Sequence, residues 1–277
     1  MSEHLNITLF SELRTIYETT AEDPHTFRLS IKLKDLIDGD ILRNAAHRAV
    51  KRYPYFSVRM RRDSADIFFE SNPLPFPVIE TNGRITLGAA ETNYHLMAIC
   101  YWQNWLHIDC YHALTDGGGL HPFVMTLLHL YISDFYGIEP DAANVRLPDS
   151  PVPEEEWRDP ADIALSAERK GLIAKWSAPA FQLGKQYVHL QPESIVTTIG
   201  ISENEFIPYS LSNDGSPATI VSLLLARSLA MAHPEAADPI VIALCVNQRK
   251  ALSAPLAHQS LVGDVRLVYS ERVKKMP

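Results

Sequence analysis

Cysteine is scarce: Cys100, Cys110 and Cys245 are the only three in 277 residues, widely spaced and odd in number. That argues against a disulfide framework or a cysteine-built zinc site and suits buried thiols in a reducing compartment. Long apolar runs are missing too. The best stretch, Ala218 to Ala232, carries Arg227 in its middle and falls short of the roughly 18 residues that span a bilayer. Met1-Ser2-Glu3-His4 has neither the basic start nor the apolar stretch of a secretory signal. Positive charge is in deficit, with 25 Lys and Arg against 33 Asp and Glu, a net charge of −8. A nucleic-acid partner or a polybasic membrane patch is therefore not expected. No internal repeat, low-complexity tract, GxSxG, P-loop or GxGxxG occurs. These absences predict a cytoplasmic protein with no membrane span.

What is present is ordinary globular material, 46% apolar and 21% charged. The length allows about two domains at roughly 150 residues each. Asp38 or Asp40 can cap a helix whose apolar positions Ile41, Ala45 and Ala49 recur every four residues, ending before Pro54. Phe56 to Met60 alternates apolar and polar, Arg62-Asp63-Ser64 turns, and Ile67-Phe68-Phe69 returns, a hairpin with one wet face. A second hairpin runs from Tyr94 to Tyr101, turns at Gln103-Asn104 and returns over Leu106 to His112. In that return Leu106, Ile108, Cys110 and His112 share one face and His107, Asp109 and Tyr111 the other. A helix follows, with Leu120, Val124, Leu127, Tyr131 and Phe135 at helical spacing and Pro122 tolerable only in a first turn.

Residues 139–160 hold five prolines and seven acidic residues. That composition predicts a linker, so the chain divides into 1–138, a crossover at 139–186 and a second part at 187–277. The second part is expected to open with a strand at Ile195 to Ile201. Ser202 and Glu205 form a capping box, and Ser216-Pro217 starts a helix. Pro239 to Val246 reads as a strand buried on both faces. The class expected is α+β.

The chemistry concentrates at His112-x-x-x-Asp116-Gly117. The histidine ends a strand, the aspartate sits in a tight turn, and Gly117 to Gly119 open a helix. An imidazole titrates near ~6.5 and can take a proton from a hydroxyl or amine in a cell. On the apolar face of its strand His112 would be partly desolvated and so neutral. Asp116 reads as structural, tying the turn through an Arg or backbone N–H groups, with Arg249 in Asn247-Gln248-Arg249 as a candidate cation. The glycines leave room for a ligand, and helix-start N–H groups could face a developing negative charge. A purely structural reading remains beside this one: a capped strand-to-helix turn around a satisfied core histidine. A metal cluster of His107, Asp109, His112, Asp116 and His121 is disfavoured, because strand alternation splits it and no HExxH or Cys pattern supports it. No metal is expected.

Tyr111-His112-Ala113-Leu114-Thr115-Asp116-Gly117 resembles the His-His-x-x-x-Asp-Gly signature of the chloramphenicol-acetyltransferase-like superfamily of CoA-dependent acyltransferases. That superfamily includes condensation domains and alcohol O-acetyltransferases. Thr26 to Ile31, Arg52 to Val58, Ser71 to Pro75 and Asn247 to Lys250 look like the alcohol-acetyltransferase branch. The resemblance implies an α+β sandwich of two lobes with a tunnel between them. It implies no resident cofactor, acyl-CoA as co-substrate, and an alcohol or amine acceptor. His112 would be the general base that deprotonates the acceptor, which then attacks the thioester without a covalent acyl-enzyme. Asp116 would be the structural member, with Tyr111, Gly117, Gly118 and Arg249 in support. Tyr111 stands where the signature has its first histidine. The family's Asp-Phe-Gly-Trp motif of the second lobe does not appear before Lys274-Lys275-Met276-Pro277. The expectation is a nearly complete first lobe, an incomplete second, and an exposed edge through which copies could associate. A condensation domain acting on carrier-protein thioesters, and a binding-only descendant, are the alternatives.

Overall fold

A computed structural model describes residues 25–63, 66–158, 179–183 and 198–270. Two compact units emerge, one of Met1–Glu168 with Asn247–Val262, the other of Arg169–Val246 with Gly263–Pro277. The segment Asn247–Val262, grouped by sequence with residues 187–277, thus joins the first unit, as does the proline-rich stretch up to Arg158.

The first unit runs β1 (Thr26–Lys32), α1 (Gly39–Arg52), β2 (Val58–Asp63), β3 (Asp66–Ser71), β4 (Val78–Glu80), β5 (Met97–Trp102), β6 (Trp105–Tyr111) and α2 (Gly117–Tyr136). Four strands form one sheet in the order β1-β6-β5-β4, and β2 and β3 pair as a separate hairpin. Within the sheet β1 and β5 run antiparallel to β6, while β4 is parallel to β5. Asp38 is the cap of α1, accepting from the N–H groups of Asp40 and Ile41. Leu42, Ala45, Ala46 and Ala49 are buried, and the small alanines let α1 lie against α2. Phe123 and Leu127 of α2 join Met97, Ile99, Leu106, Ile108 and Cys110 of the sheet in one core.

Several expectations change here. Tyr94 is outside the strand, because Asn93 and Tyr94 take φ of 49° and 63°, which a strand cannot continue. Pro122 stands sixth in α2 rather than in its first turn. It removes the N–H that would have bonded the Gly118 carbonyl, and the Thr126 hydroxyl bonds the Pro122 carbonyl at 3.1 Å. Strand β4 is only three residues long, too short to show an alternation in the sequence. In the acidic stretch Glu156 is buried, not solvated: Arg52 holds it at 2.6 and 2.9 Å, Arg146 at 3.1 Å, and the Tyr55 hydroxyl donates at 2.8 Å. Burial works against that carboxylate, yet these partners outweigh it and hold its pKa below the usual range.

The second unit contains α3 (Glu203–Ser212), α4 (Pro217–Ala232) and, but for the end residues Asn247 and Val262, β7 (Ile240–Asn247) and β8 (Val262–Tyr269), the last two paired with each other. Residues 198–201 are not strand, and the rest of the expected Ile195 strand lies outside the described residues. Ser202 stands at the start of α3 but makes no side-chain cap bond, so the capping box is not formed. Ser216 does cap α4, accepting from the Thr219 N–H at 3.2 Å. β7 is not buried on both faces: most of its residues are partly or fully exposed, since a two-stranded sheet offers little cover. Cys245 is correspondingly exposed, while Cys100 and Cys110 are buried. Among the described residues no single helix is long and apolar enough to cross a membrane, although α3 and α4 pass on length and composition together, bent by 84°.

Candidate functional site

The site grows from the end of β6. Tyr111 closes that strand, is buried, and donates its N–H to the Leu96 carbonyl at 2.9 Å. His112 is one residue beyond, where the chain leaves the sheet. Its N–H still reaches the His25 carbonyl at 2.9 Å, and its ring meets Phe27 edge-on with centroids 5.1 Å apart. The side chain is exposed, not desolvated on the apolar face as its spacing predicted, because the strand has already ended.

Asp116 is the structural hub. As the cap of α2 it accepts from the Gly119 N–H at 2.8 Å. Arg249 reaches it with two nitrogens at 2.9 and 2.8 Å, and the Leu261 N–H adds a contact at 3.1 Å. Both side chains are under a tenth exposed. Arg249 is satisfied on its remaining sides by the Ala257 carbonyl at 2.8 Å and the Gln259 carbonyl at 2.6 Å. Asn247 turns the chain into place, accepting from the Arg249 N–H at 3.0 Å. Such a buried pair is stable only with every hydrogen bond made, and here the carboxylate and guanidinium are both saturated.

The glycines differ in role. A Cβ on Gly118 would crowd Arg249 and Asn247, and one on Gly119 would overlap the His258 carbonyl, so the strap Asn247–Val262 lies directly on the start of α2. Gly117 has open space around it. The structure therefore brings Asp116, Gly118 and Arg249 together and leaves His112 and Gly117 at the surface beside them.

Sequence reasoning missed the lower half of this assembly. His258 is buried, stacks on Tyr55 at 3.9 Å between centroids, and uses Nδ1 and its backbone N–H on the Glu156 carbonyl at 2.5 and 2.8 Å. Its own carbonyl accepts from the Thr115 hydroxyl at 2.6 Å. Burial lowers its pKa to about 4, so the ring is neutral. A histidine in a loop and a glutamate in an acidic run carry no signal of this kind. Among the described residues no group of three or more His, Cys, Asp or Glu is placed to hold a metal ion.

No family model matches the sequence, and no curated protein does. Solved structures do. The first condensation domain of the CDA synthetase aligns with 95% of this chain and 68% of its own at a TM-score of 0.60 and 12% identity. Polyketide synthase associated protein 5 from Mycobacterium tuberculosis aligns with 98% and 68% at 0.60 and 16% identity. A variant of the starter condensation domain of rhizomide synthetase RzmA, in complex with C8-CoA, aligns with 96% and 67% at 0.52 and 13% identity. Likeness at this level of identity speaks for the fold: the chain has the mixed α+β architecture of condensation domains and their chloramphenicol-acetyltransferase-like kin.

Proposed function

We propose that this chain belongs to an acyltransferase that moves an acyl group, most simply acetyl, from a CoA thioester to an alcohol or amine, with His112 as general base. The observation that carries this reading is the turn itself. An exposed imidazole follows the last residue of β6, and four residues on, the Asp116–Arg249 pair fixes the chain's entry into α2. The rigid half of the motif holds the backbone, leaving the imidazole free to meet a substrate.

In the reaction His112 takes the proton of the acceptor hydroxyl or amine as its oxygen or nitrogen attacks the thioester carbonyl. Collapse of the tetrahedral intermediate expels the CoA thiolate, which recovers the proton from the imidazolium. Base catalysis of this kind supplies roughly 10²–10⁴-fold. Asp116 and Arg249 are positioning residues, and no resident cofactor or metal is needed. Two lobes, with the site on the first, and a cytoplasmic location complete the proposal.

The test is thiol release from acetyl-CoA against a panel of alcohols and amines. Turnover should fall by about 10²-fold or more in His112→Ala with the melting temperature unchanged; full activity in that variant removes the base assignment. The condensation-domain neighbours favour a second reading, in which the donor is an acyl group on a carrier protein. A carrier-loaded acyl thioester used in preference to acyl-CoA selects it over the alcohol-acetyltransferase reading.

A further inference from the structure

Residues alternating with the core positions of β1 and β6 bring a second reactive cluster onto the other face of the sheet. Ser30 and His107 are direct cross-strand partners. Ser30 Oγ lies 2.8 Å from His107 Nδ1, within the distance at which a base activates a nucleophile. The serine is exposed, whereas the histidine is 8% exposed, and its Nε2 has no hydrogen-bond partner. Trp105 stacks on the ring with centroids 6.1 Å apart, and the Ser30 hydroxyl is its hydrogen-bond partner among the described residues.

The neighbours set the electrostatics. Asp109 does not serve the imidazole, because Arg28 occupies both its oxygens at 2.7 and 2.6 Å while Cys100 Sγ sits 3.7 Å from Oδ2. Burial first, then the Arg28 charge, lower the His107 pKa, so the ring is neutral at pH 7 with one nitrogen free to accept. Lys32, two residues along β1 on the same face, holds its ammonium 5.5 Å from the Trp105 ring centroid. It gives an anionic donor a local cation on an otherwise acidic chain.

We infer that Ser30 is an acyl-accepting nucleophile with His107 as its base, separate from His112. Ser30 Oγ attacks the thioester carbonyl of acyl-CoA and passes its proton to Nδ1, the ring carrying its own proton on Nε2. The C–S bond breaks, the CoA thiolate leaves and takes that proton from the imidazolium, and Ser30 is left as an ester with no change of oxidation state. The choice of acyl-CoA as donor rests on the function proposed above; the reactivity of the serine does not.

The experiment incubates the full chain with acetyl-CoA and, in parallel, with a fluorophosphonate probe, and maps the products by peptide mass spectrometry. Ser30 should carry one acetyl group and one probe adduct, formed roughly 10²-fold faster than in His107→Gln. Ser30→Ala should lose both, and His112→Ala should keep both. Because His107→Gln could disturb the sheet, the pH dependence of labelling in the unaltered protein is a second measure. Its rate should follow an imidazole titrating below the usual ~6.5 and be level from pH 7 to 8. Labelling at Ser30 no faster than at exposed Ser228, or rising about tenfold per pH unit across that range, overturns the assignment. Probe labelling without acetylation overturns the donor, and leaves the fate of the His112 reaction to its own assay.

Discussion

In α2, Leu120, Phe123 and Leu127 are almost wholly buried, whereas in α4, Val221, Leu223, Leu224 and Leu225 are each more than two-fifths exposed. Both helices are long, nearly uncharged and leucine-rich. Under α2 lies a four-stranded sheet and beside it α1; α4 has a two-stranded sheet, and a cavity of about 370 Å³ lies along Leu223, Ala226, Ile242 and Leu267. An apolar sequence announces that a face wants cover, and only the neighbouring elements decide whether it has any. The first unit is held by a filled core and buried ion pairs; the second, among its described residues, has few of either.

The contrast can be broken most severely at the strap. Arg249→Ala leaves Asp116 buried and unpaired and should destabilise the first unit at the upper end of roughly 3–5 kcal/mol, read by denaturant titration of an α2-specific probe. If the transition does not move, the pair is ornamental. Phe123→Ala, emptying the core beneath α2, should follow at roughly 3–5 kcal/mol.

Acid offers a milder probe. His258 has a folded pKa of about 4, below the ordinary ~6.5, so the unfolded chain binds the extra proton between those values. Its contribution is complete above pH ~6.5 and is lost as pH falls toward 4, about 3 kcal/mol in all at roughly 1.4 kcal/mol per unit. Glu156, whose pKa is also depressed in the folded state, adds a further loss at lower pH still. His258→Phe should flatten the first slope, and an unaltered slope rejects the assignment. Smallest of all, Leu224→Ala on the open face of α4 should change stability by less than about 0.5 kcal/mol; a core-sized loss there would show that the face is covered in solution.

The sequence made much of the first unit legible because its signals were local. Asp38 before a four-residue apolar period, alternation through Leu106, Ile108 and Cys110, and a tight Asp-Gly turn each speak within a few residues. Arg249 is the candidate cation for Asp116 in the sequence, but 133 positions away nothing in its own neighbourhood fixes the pairing. What stayed hidden was non-local or conditional. The burial of Glu156 depends on Arg52 and Arg146 arriving from distant segments, and the ring of His258 on the face of Tyr55. Exposure of His112 turned on one residue, since a strand ending at Tyr111 rather than His112 takes the imidazole off the sheet.

Asp116 and Arg249 stand 133 positions apart, and Thr115 and His258 stand 143 apart. Contacts of such separation form late, because a long loop must close before they return any energy. During synthesis from the N-terminus, the sheet, α1 and α2 are complete as a chain well before the strap leaves the ribosome. The turn bearing His112 therefore waits, loosely set, for a segment made more than a hundred residues later. A chain interrupted before Arg249 would lack the partner that fixes Asp116, so the setting of this turn is deferred until the strap has been made.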